Sequence, residues 1–451
     1  MATELTIAER RRRQGVSLEK KLRETMVPQG PGPTMRPLLK LRRLWKRLPV
    51  PSPLRGAATS LLYRWSGRVR HHVLAQDGRG EADLAPLVKT AISPGDLVIS
   101  GFLSDVSGIG RAGRLSVEVL RRAGLDVRPH DLRRDPSDWP GQVSGGVWLA
   151  HCNAPEAAEF LLASHAARRR YRIGYWAWEL PELPTHWALI AGLFHELWAP
   201  SAFVAEAMAH STRELGVPIR VVPHPHPDVS TIRADPARFD LDPRKFTFLA
   251  MYDVRSSATR KNPVGAMRAF QMAFDRDRGD VELVVKVVSA GDSRGCLSEL
   301  RSLAYGWPNI RILLETLTDE ATGALIASVD AFVSLHRSEG FGLSIAQAMA
   351  LARPVITTGW SGNMQFCGDG ALLVPYEMVP VVDAAAIYHE TDQLWAEPDL
   401  GAAARHMIEL VGSREHARDL GERCRQTVRE RLPDGYEIAH LDAWLSKGPG
   451  R

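Results

Sequence analysis

A carboxylate, two glycines and the predicted start of a helix lie within a few residues of one another. Glu339 is followed by Gly340 and Gly342, and an apolar run with helical spacing begins near Leu343. Glycine lets backbone N–H groups approach a ligand closely, and a helix start presents unpaired N–H groups and a positive dipole end to an anion. A diphosphate suits such a turn. A carboxylate beside an anion is unfavourable unless it binds neutral hydroxyl groups, and Arg337 is the one cation close to Glu339 in the sequence. The segment therefore predicts a site for a sugar joined to a diphosphate.

A second segment carries cations that suit the same diphosphate. Arg255 and Lys261 lie between a predicted strand and a helix that the pair Asn262-Pro263 should begin. Arg forms planar bidentate contacts with phosphate, and Lys provides a mobile point charge. Arg260 is a rival for either role. Such cations stabilise a departing phosphate as Mg²⁺ does elsewhere, so we expect neither a metal nor another cofactor.

Residues 334–358 resemble the donor-binding signature of the family 4 retaining glycosyltransferases. In that signature Glu-Gly-Phe-Gly is followed by a second Glu eight positions after the first, a helix of small residues and Pro-Val-Ile. The resemblance implies that Glu339 contacts the donor sugar, and that Arg255 and Lys261 hold the diphosphate. It also implies that position 347 contacts the ribose, although Gln347 here carries no charge. A second departure is Leu335-His336 in place of Pro-Ser. The remaining donor contacts that we expect are Gly340, Phe341, Gly342, Leu343, Asn363 and Gly110.

The first half of the chain has its own candidates. His151 ends a predicted strand, and the resemblance implies that it approaches the donor sugar; a structural histidine bonded to the backbone is the alternative. Asn153 is a second polar candidate beside it. Trp176 and Glu179 belong to an aromatic and acidic stretch that is similar to one in bacterial surface-polysaccharide members of the family. Aromatic faces and carboxylates suit sugars, so we assign Asn153, Trp176 and Glu179 to the acceptor side, with core packing as the alternative for the tryptophan.

Residues 108–113 match the G-x-G-x-x-G pattern of dinucleotide-binding proteins. In those proteins the turn follows the strand directly. Here the predicted strand ends at about Ser100, several residues before the first glycine. The spacing favours a longer loop, which resembles the glycine loop of the first domain of GT-B glycosyltransferases.

Strands and helices alternate twice along the chain, which predicts parallel sheets covered by helices. The resemblance implies an α/β protein of the GT-B fold, with two facing doubly wound Rossmann-like domains and a deep interdomain cleft. The predicted divisions are a basic arm (1–90), an acceptor domain (91–230), a nucleotide-sugar domain (231–430) and a C-terminal helix that crosses back (431–451).

The positive charge of the chain is concentrated at its start. Residues 1–76 contain 17 Lys and Arg against 4 Asp and Glu, whereas the whole chain has a net charge of +5. The globular part is therefore acidic, and we expect no nucleic-acid partner. Residues 35–48 form a cationic amphipathic pattern with a tryptophan, which suits an anionic membrane surface. A solvated arm and a helix packed on the body are the alternatives.

Four scattered cysteines and no apolar run of membrane-spanning length predict a cytoplasmic protein, with peripheral contact at the inner face of the membrane left open. Together these patterns predict a metal-independent, retaining hexosyltransferase of polysaccharide biosynthesis. Its partners would be a nucleotide-diphosphate sugar, with GDP-mannose and UDP-hexoses both open, and a glycan or lipid-linked acceptor. The alternatives are an epimerase or phosphorylase of the same architecture, a non-catalytic partner in a glycan assembly complex, and an NAD-dependent oxidoreductase.

Overall fold

The computed structural model describes residues 65–75, 92–135, 138–288, 294–383, 388 and 392–446. Two six-stranded parallel sheets lie one in each half of these residues. The first contains β1 (Leu97–Gly101), β2 (Val127–Asp131), β3 (Val147–His151), β4 (Tyr171–Tyr175), β5 (Glu196–Ala199) and β6 (Ile219–Val221). The second contains β7 (Phe246–Asp253), β8 (Val281–Val288), β9 (Ile310–Leu313), β10 (Ala331–Ser334), β11 (Val355–Thr358) and β12 (Leu372–Val374). An antiparallel hairpin follows, made of β13 (Tyr376–Pro380) and β14 (Leu394–Pro398).

Helices join most of the parallel strands, because a parallel pair needs a crossover connection. Those of the first half are α1 (65–75), α2 (Gly108–Arg122), α3 (Ala154–Ala163), α4 (His165–Arg168), α5 (Thr185–Ala191) and α6 (Ala202–Thr212). Those of the second half are α7 (Ala258–Lys261), α8 (Pro263–Ala273), α9 (Arg294–Ala304), α10 (Asp319–Ser328), α11 (Leu343–Ala350), α12 (Leu400–Gly412) and α13 (Arg414–Arg431).

Each sheet has a point at which the strand order reverses. The first sheet runs β2-β1-β3-β4-β5-β6, and the second runs β12-β11-β10-β7-β8-β9. The chain therefore enters each sheet in its interior, and the order reverses at β1/β3 in the first domain and at β7/β10 in the second. Ligands of doubly wound sheets bind beyond the carboxyl ends of the strands at this switch point. The residues that follow these four strands are thus the ones that the fold places in a binding position.

The predicted alternation of strands and helices is confirmed over most of the chain, but β4 escaped prediction. Arg170 directly before β4 and Arg172 within it interrupt the apolar pattern, although both are buried. The Arg170 guanidinium forms an ion pair with Asp96 at 2.6 Å, which compensates its loss of hydration. A buried strand can therefore carry arginines when the chain supplies partners from elsewhere in the sequence.

The glycine pattern at 108–113 does not form a loop, so that expectation is wrong. Ser107 caps α2 by accepting a hydrogen bond from the Gly110 N–H at 3.3 Å, and the helix contains all three glycines. A Cβ on Gly110 would lie 2.4 Å from the Asp105 carbonyl oxygen and 2.6 Å from that of Phe102. The glycine is needed because the helix packs directly on the loop that follows β1.

Both ends of the described chain pack on the first domain. Helix α1, within the predicted arm, contributes Trp65, Val69 and Val73 to the core of that domain. The C-terminal crossing is present, but as an irregular segment with one 3-10 turn at Ala439–Leu441 instead of a helix. Its Trp444 ring stacks on Tyr171 with ring centroids 3.9 Å apart. The amphipathic pattern at 35–48 lies outside the described residues.

Candidate functional site

The switch point of the second domain brings the Glu339 segment and the 255–261 loop together. Glu339 follows β10 and is 6% exposed. Its carboxylate is bound by the Lys261 ammonium and lies 3.3 Å from the Arg260 guanidinium. Burial alone would raise the pKa of Glu339, but these two cations lower it to about 2. The carboxylate therefore stays ionised at neutral pH. Arg337, the cation that the sequence offered, pairs instead with Glu397.

Arg260 is the central cation of this group. The sequence offered it as an alternative to Arg255 or Lys261, but in the structure it acts beside Lys261 as a second partner of Glu339. It is 1% exposed and donates to the carbonyl oxygens of Ser338 at 2.7 Å and Ser256 at 3.0 Å. The left-handed backbone of Ser257, with φ of 65°, begins the short helix α7 that carries both Arg260 and Lys261. Two structural hydrogen bonds thus fix a buried charge beside Glu339.

Arg255 is more exposed than the two other cations of its loop, at 36% against 22% for Lys261 and 2% for Arg260. Its guanidinium forms ion pairs with Asp253 at 3.0 Å and, across the domain interface, with Asp105 at 3.1 Å. The pKa of Asp105 is lowered: burial acts to raise it, but Arg255 and the other partners outweigh burial. A bound anion would compete with these two carboxylates for Arg255.

The turn before α11 leaves the start of that helix open. Gly342 is the N-cap in a left-handed conformation with φ of 96°, and no side chain caps the helix. Gly340 lies against the backbone of Trp178, and its carbonyl oxygen accepts a hydrogen bond from the Ser201 hydroxyl at 2.7 Å. The uncapped N–H groups from Leu343 onward can therefore receive an anion between the domains.

Two of the expected donor contacts are buried within the second domain. Gln347 is 2% exposed, and its amide oxygen has no hydrogen-bond partner among the described residues. Asn363 is fully buried; its amide nitrogen donates to the Thr358 carbonyl oxygen at 2.9 Å, and its amide oxygen lies 3.2 Å from the His336 ring. In this structure Asn363 supports the loop after β11, whereas Gln347 retains an unused acceptor.

Phe341 is buried and forms part of a chain of aromatic rings between the switch points of the two domains. It is 5% exposed, and its ring contacts His224 with ring centroids 4.8 Å apart. His224 accepts or donates a hydrogen bond at 3.1 Å with the Tyr175 hydroxyl, and the Tyr175 ring lies 4.5 Å from that of His151. The residues after β3 and β10 are thus connected through buried aromatic rings.

His151 is buried, and neither of its ring nitrogens has a hydrogen-bond partner among the described residues. Burial lowers the pKa of His151 to about 4, and burial together with His151 lowers the pKa of His224 well below its usual range. Gly113 of α2 packs against the Leu103 side chain, since a Cβ there would lie 2.9 Å from Leu103 Cδ2, and it is in ordinary contact distance of the His151 ring. His151 is therefore a neutral imidazole with unused hydrogen-bonding capacity.

The three residues expected on the acceptor side have different surroundings in the structure. Trp176 is fully buried and packs edge-on against Trp187 and Phe194, so its role is in the core. Asn153 accepts a hydrogen bond from the Ala177 N–H at 3.1 Å and thereby holds the loop after β4. Glu179 alone of the three reaches the charged group of the second domain, with its carboxylate 3.5 Å from Arg260.

Sequence reasoning missed Tyr388, whose hydroxyl donates to the Glu179 carboxylate at 3.0 Å. It also missed His224, which follows β6 near the predicted end of the acceptor domain. No helix in the described part of the chain is both long and apolar enough to cross a bilayer. Within the same residues, no cluster of three or more His, Cys, Asp or Glu side chains is arranged to hold a metal ion.

Comparison with known proteins agrees with this architecture. The model of the family described as Glycosyl transferases group 1 matches residues 255–397. The structure of HepE from Anabaena in complex with UDP and glucose is 12% identical over 75% of this chain and 96% of that chain, with a TM-score of 0.54. Sucrose-phosphate synthase from Thermosynechococcus elongatus is 13% identical over 75% of this chain and 95% of its own, with a TM-score of 0.56. Among curated protein sequences there is no significant match.

These likenesses define the fold as that of the GT-B glycosyltransferases, so the predicted fold class is confirmed. The family match covers the whole loop from Arg255 to Lys261 and the Glu339 turn, which are the parts of the second domain that meet at its switch point. It supports a relationship to the GT-B glycosyltransferases.

Proposed function

We propose that the chain is a retaining, metal-independent hexosyltransferase of the family 4 type, which transfers a hexose from a nucleotide-diphosphate sugar to a glycan or lipid-linked acceptor in polysaccharide biosynthesis. One observation carries the proposal. A buried carboxylate, Glu339, is held by Lys261 and Arg260 directly before the uncapped start of α11. This arrangement combines a group that binds sugar hydroxyls with a place for a diphosphate.

The leaving group is stabilised by charges that are already in position. The diphosphate lies at the start of α11, with Lys261 and Arg255 as counterions. The bond between the anomeric carbon and the phosphate oxygen breaks, and the acceptor oxygen forms a bond to the same carbon from the same face. The acceptor proton passes to the departing phosphate. Neither a protein nucleophile nor a metal takes part in this sequence.

His151 supports the reacting centre as a neutral group. Its pKa of about 4 keeps the imidazole uncharged at neutral pH, so it does not compete with the cations for the phosphate. A neutral imidazole can both donate and accept a hydrogen bond, which suits a sugar hydroxyl. Its two unpartnered nitrogens favour this role.

The donor to test first is a UDP-hexose, because HepE binds UDP and glucose in a structure of the same fold. GDP-mannose is the second. The acceptor side is a further part of the proposal: a lipid-linked acceptor would place the enzyme at the cytoplasmic face of a membrane, where the cationic residues at 35–48 would attract anionic lipid. Sedimentation with phosphatidylglycerol vesicles, compared with phosphatidylcholine vesicles, tests this part separately.

Gln347 favours one alternative, a non-catalytic partner in a glycan assembly complex. A neutral amide stands where the family has a carboxylate, and it is buried. Ribose binding through the free amide oxygen would still be possible, since a carbonyl oxygen accepts a hydrogen bond from a hydroxyl. Nucleotide-sugar binding without turnover of any acceptor or water would favour the non-catalytic alternative.

A thermal-shift panel of UDP, GDP and ADP with UDP-glucose, GDP-mannose and ADP-glucose tests the proposal, with NAD as the comparison and each sample with and without EDTA. A ligand that binds the folded state raises the unfolding temperature by mass action. We expect a shift with one nucleotide diphosphate and its sugar, unchanged by EDTA. No shift with any of them, or a shift with NAD alone, would contradict the proposal.

A further inference from the structure

The hairpin β13–β14 and its connection reach from the second domain onto the first. The Gln393 side chain accepts a hydrogen bond from the Glu182 N–H at 2.8 Å and donates to the Glu182 carbonyl oxygen at 3.1 Å. Both backbone groups of one residue in the loop after β4 are therefore held by one side chain of the hairpin. This fixes the loop that carries Glu179 relative to the second domain.

The same connection carries Tyr388 to the Glu179 carboxylate. Tyr388 is 4% exposed, and its ring packs on Trp178 with centroids 5.4 Å apart. Its hydroxyl donates to the carboxylate at 3.0 Å. Burial raises the pKa of Tyr388 well above its usual range, and the neighbouring Glu179 carboxylate raises it further against the opposing effect of Arg260, so the hydroxyl remains a donor.

Asp383 fixes the base of this connection on the cation loop. It is 9% exposed and accepts a hydrogen bond from the Ser257 hydroxyl at 2.6 Å. Ser257 is also the N-cap of α7, which carries Arg260 and Lys261. The loop that supplies the cations and the connection that supplies Tyr388 are therefore tied to each other.

Glu179 is held from two sides and is still partly exposed. One carboxylate oxygen accepts from Tyr388, and the other lies 3.5 Å from Arg260. Arg260 contacts Glu339 through its second terminal nitrogen, so one guanidinium joins a carboxylate from each domain. The Glu179 side chain is 22% exposed, against 8% for Glu339 and 2% for Arg260. It is thus the carboxylate of this group with the most room for a ligand.

We propose that Tyr388 is a positioning residue that holds Glu179 as a second carboxylate for the hydroxyls of the donor sugar, opposite Glu339. The inference rests on the proposed function and moves Glu179 from the acceptor side to the donor sugar. The sugar is then bound by one carboxylate from each domain, and the hairpin, which lies outside both six-stranded sheets, contributes to the choice of sugar.

The test is calorimetric titration of the full chain with UDP and UDP-glucose, and with GDP and GDP-mannose, in the wild type and in Tyr388→Phe, Glu179→Gln and Glu179→Ala. The quantity of interest is the ratio of the Kd for the nucleotide to the Kd for its sugar. We expect each variant to keep the wild-type Kd for the free nucleotide and to lower this ratio, about tenfold for Glu179→Ala and less for Tyr388→Phe. Tyr388→Phe combined with Glu179→Ala should match Glu179→Ala alone, because the tyrosine acts through the carboxylate.

Two matched controls lie on the same segments. Tyr376→Phe removes a hydroxyl from an exposed tyrosine of the hairpin, and Glu182→Gln neutralises a carboxylate three residues from Glu179 whose neighbour is His210. Neither should change the ratio. Equal weakening of nucleotide and nucleotide-sugar binding in Tyr388→Phe, or an additive effect in the double variant, would overturn this inference alone. Failure of the wild type to bind these four ligands, together with ADP and ADP-glucose, would overturn the proposed function and the inference with it.

Discussion

The two domains share a doubly wound topology, but the carboxyl-terminal edges of their sheets, at the points where the strand order reverses, carry different kinds of side chains. In the second domain, the buried group after β7 and β10 is ionic and consists of Glu339, Lys261 and Arg260. In the first domain, the residues near the end of β3 are aromatic and neutral, with His151 beside Tyr175. Burial lowers the pKa of His151 to about 4, whereas the cations lower the pKa of Glu339 to about 2 against the effect of burial.

This difference shows that the fold determines where a ligand binds and the side chains determine which chemistry is possible there. A charged edge with an uncapped helix start suits a diphosphate. A neutral edge suits sugar hydroxyls, and it leaves the phosphate to the opposite domain. Because Arg255, Arg260 and Lys261, the cations of this group, all belong to the second domain, substitutions in the two domains should have distinguishable effects.

The largest effect is expected for Glu339→Gln, which removes the charge at the centre of the ionic edge. We expect kcat/KM for release of nucleotide diphosphate to fall on the order of 10²–10³-fold, because a contact to the reacting sugar and the partner of two cations are lost together. Breaking a buried ion pair also costs about 3–5 kcal/mol of stability, so activity is measured well below the unfolding temperature. Glu397→Gln, which removes the partner of Arg337, is the control. Near-normal turnover of folded Glu339→Gln would contradict the assignment.

The second effect separates the half-buried Lys261 from the more exposed Arg255. Lys261→Gln should weaken binding of nucleotide diphosphates about 10- to 100-fold, as expected for a charge-assisted contact. Arg255→Gln should weaken it less, because Arg255 is more exposed and already has two carboxylate partners. Isothermal titration at two salt concentrations measures both. The exposed Arg276→Gln serves as the control, and equal affinities for Lys261→Gln and the wild type would show that the ionic edge is not the phosphate site.

A third test concerns the neutral edge. Above pH 6.5 His151 is uncharged in both the folded and the unfolded chain. Between pH 6.5 and its folded pKa of about 4, only the unfolded chain binds the proton, so the free energy of unfolding falls as the pH falls. By pH 5 the loss is about 2 kcal/mol from this group. His151→Leu should show that much less loss between pH 7 and pH 5 in denaturant unfolding.

The exposed His210→Leu is the control for this titration, because its side chain is 41% exposed. An unchanged pH dependence in His151→Leu would mean that the histidine is not held neutral, and the contrast between the two edges would be lost.

The smallest effect is expected at the interface between the domains. Arg114 of the first domain forms a hydrogen-bonded ion pair with Asp319 of the second at 2.6 Å, but both side chains are about a third or more exposed. Exposed ion pairs contribute about 0–1 kcal/mol. Arg114→Ala should therefore change nucleotide affinity less than about fivefold. A larger change would show that the relative placement of the domains, and not the two edges themselves, governs binding.

The sequence predicted the second domain more accurately than the first for a physical reason. Strand β10 begins with the apolar run Ala331–Val333, and the Asn262 side chain caps α8 as predicted, accepting from the Gly265 N–H at 3.0 Å. In the first domain β4 contains the buried Arg172, and the buried Arg170 lies directly before it. The partner of Arg170 is Asp96, which is 74 residues away in the sequence. Pairings over such distances do not appear in a local pattern.

The same limit of local patterns explains which residues of the candidate site the sequence predicted and which it missed. Glu339 and Lys261 were found because each belongs to a local motif. The pairing of Glu339 with Arg260 and of Glu179 with Tyr388 joins residues 79 and 209 positions apart, and those contacts depend on how the domains and the hairpin pack.

The most direct test of the contrast between the edges is ³¹P NMR of UDP-glucose and GDP-mannose titrated with the protein in EDTA. We expect the two phosphorus resonances of one donor to shift with the wild type and with His151→Leu, and we expect Lys261→Gln combined with Arg255→Gln to abolish the shift. A shift that survives the loss of both cations, or that disappears with His151→Leu in a folded protein, would contradict the assignment of the diphosphate to the second domain.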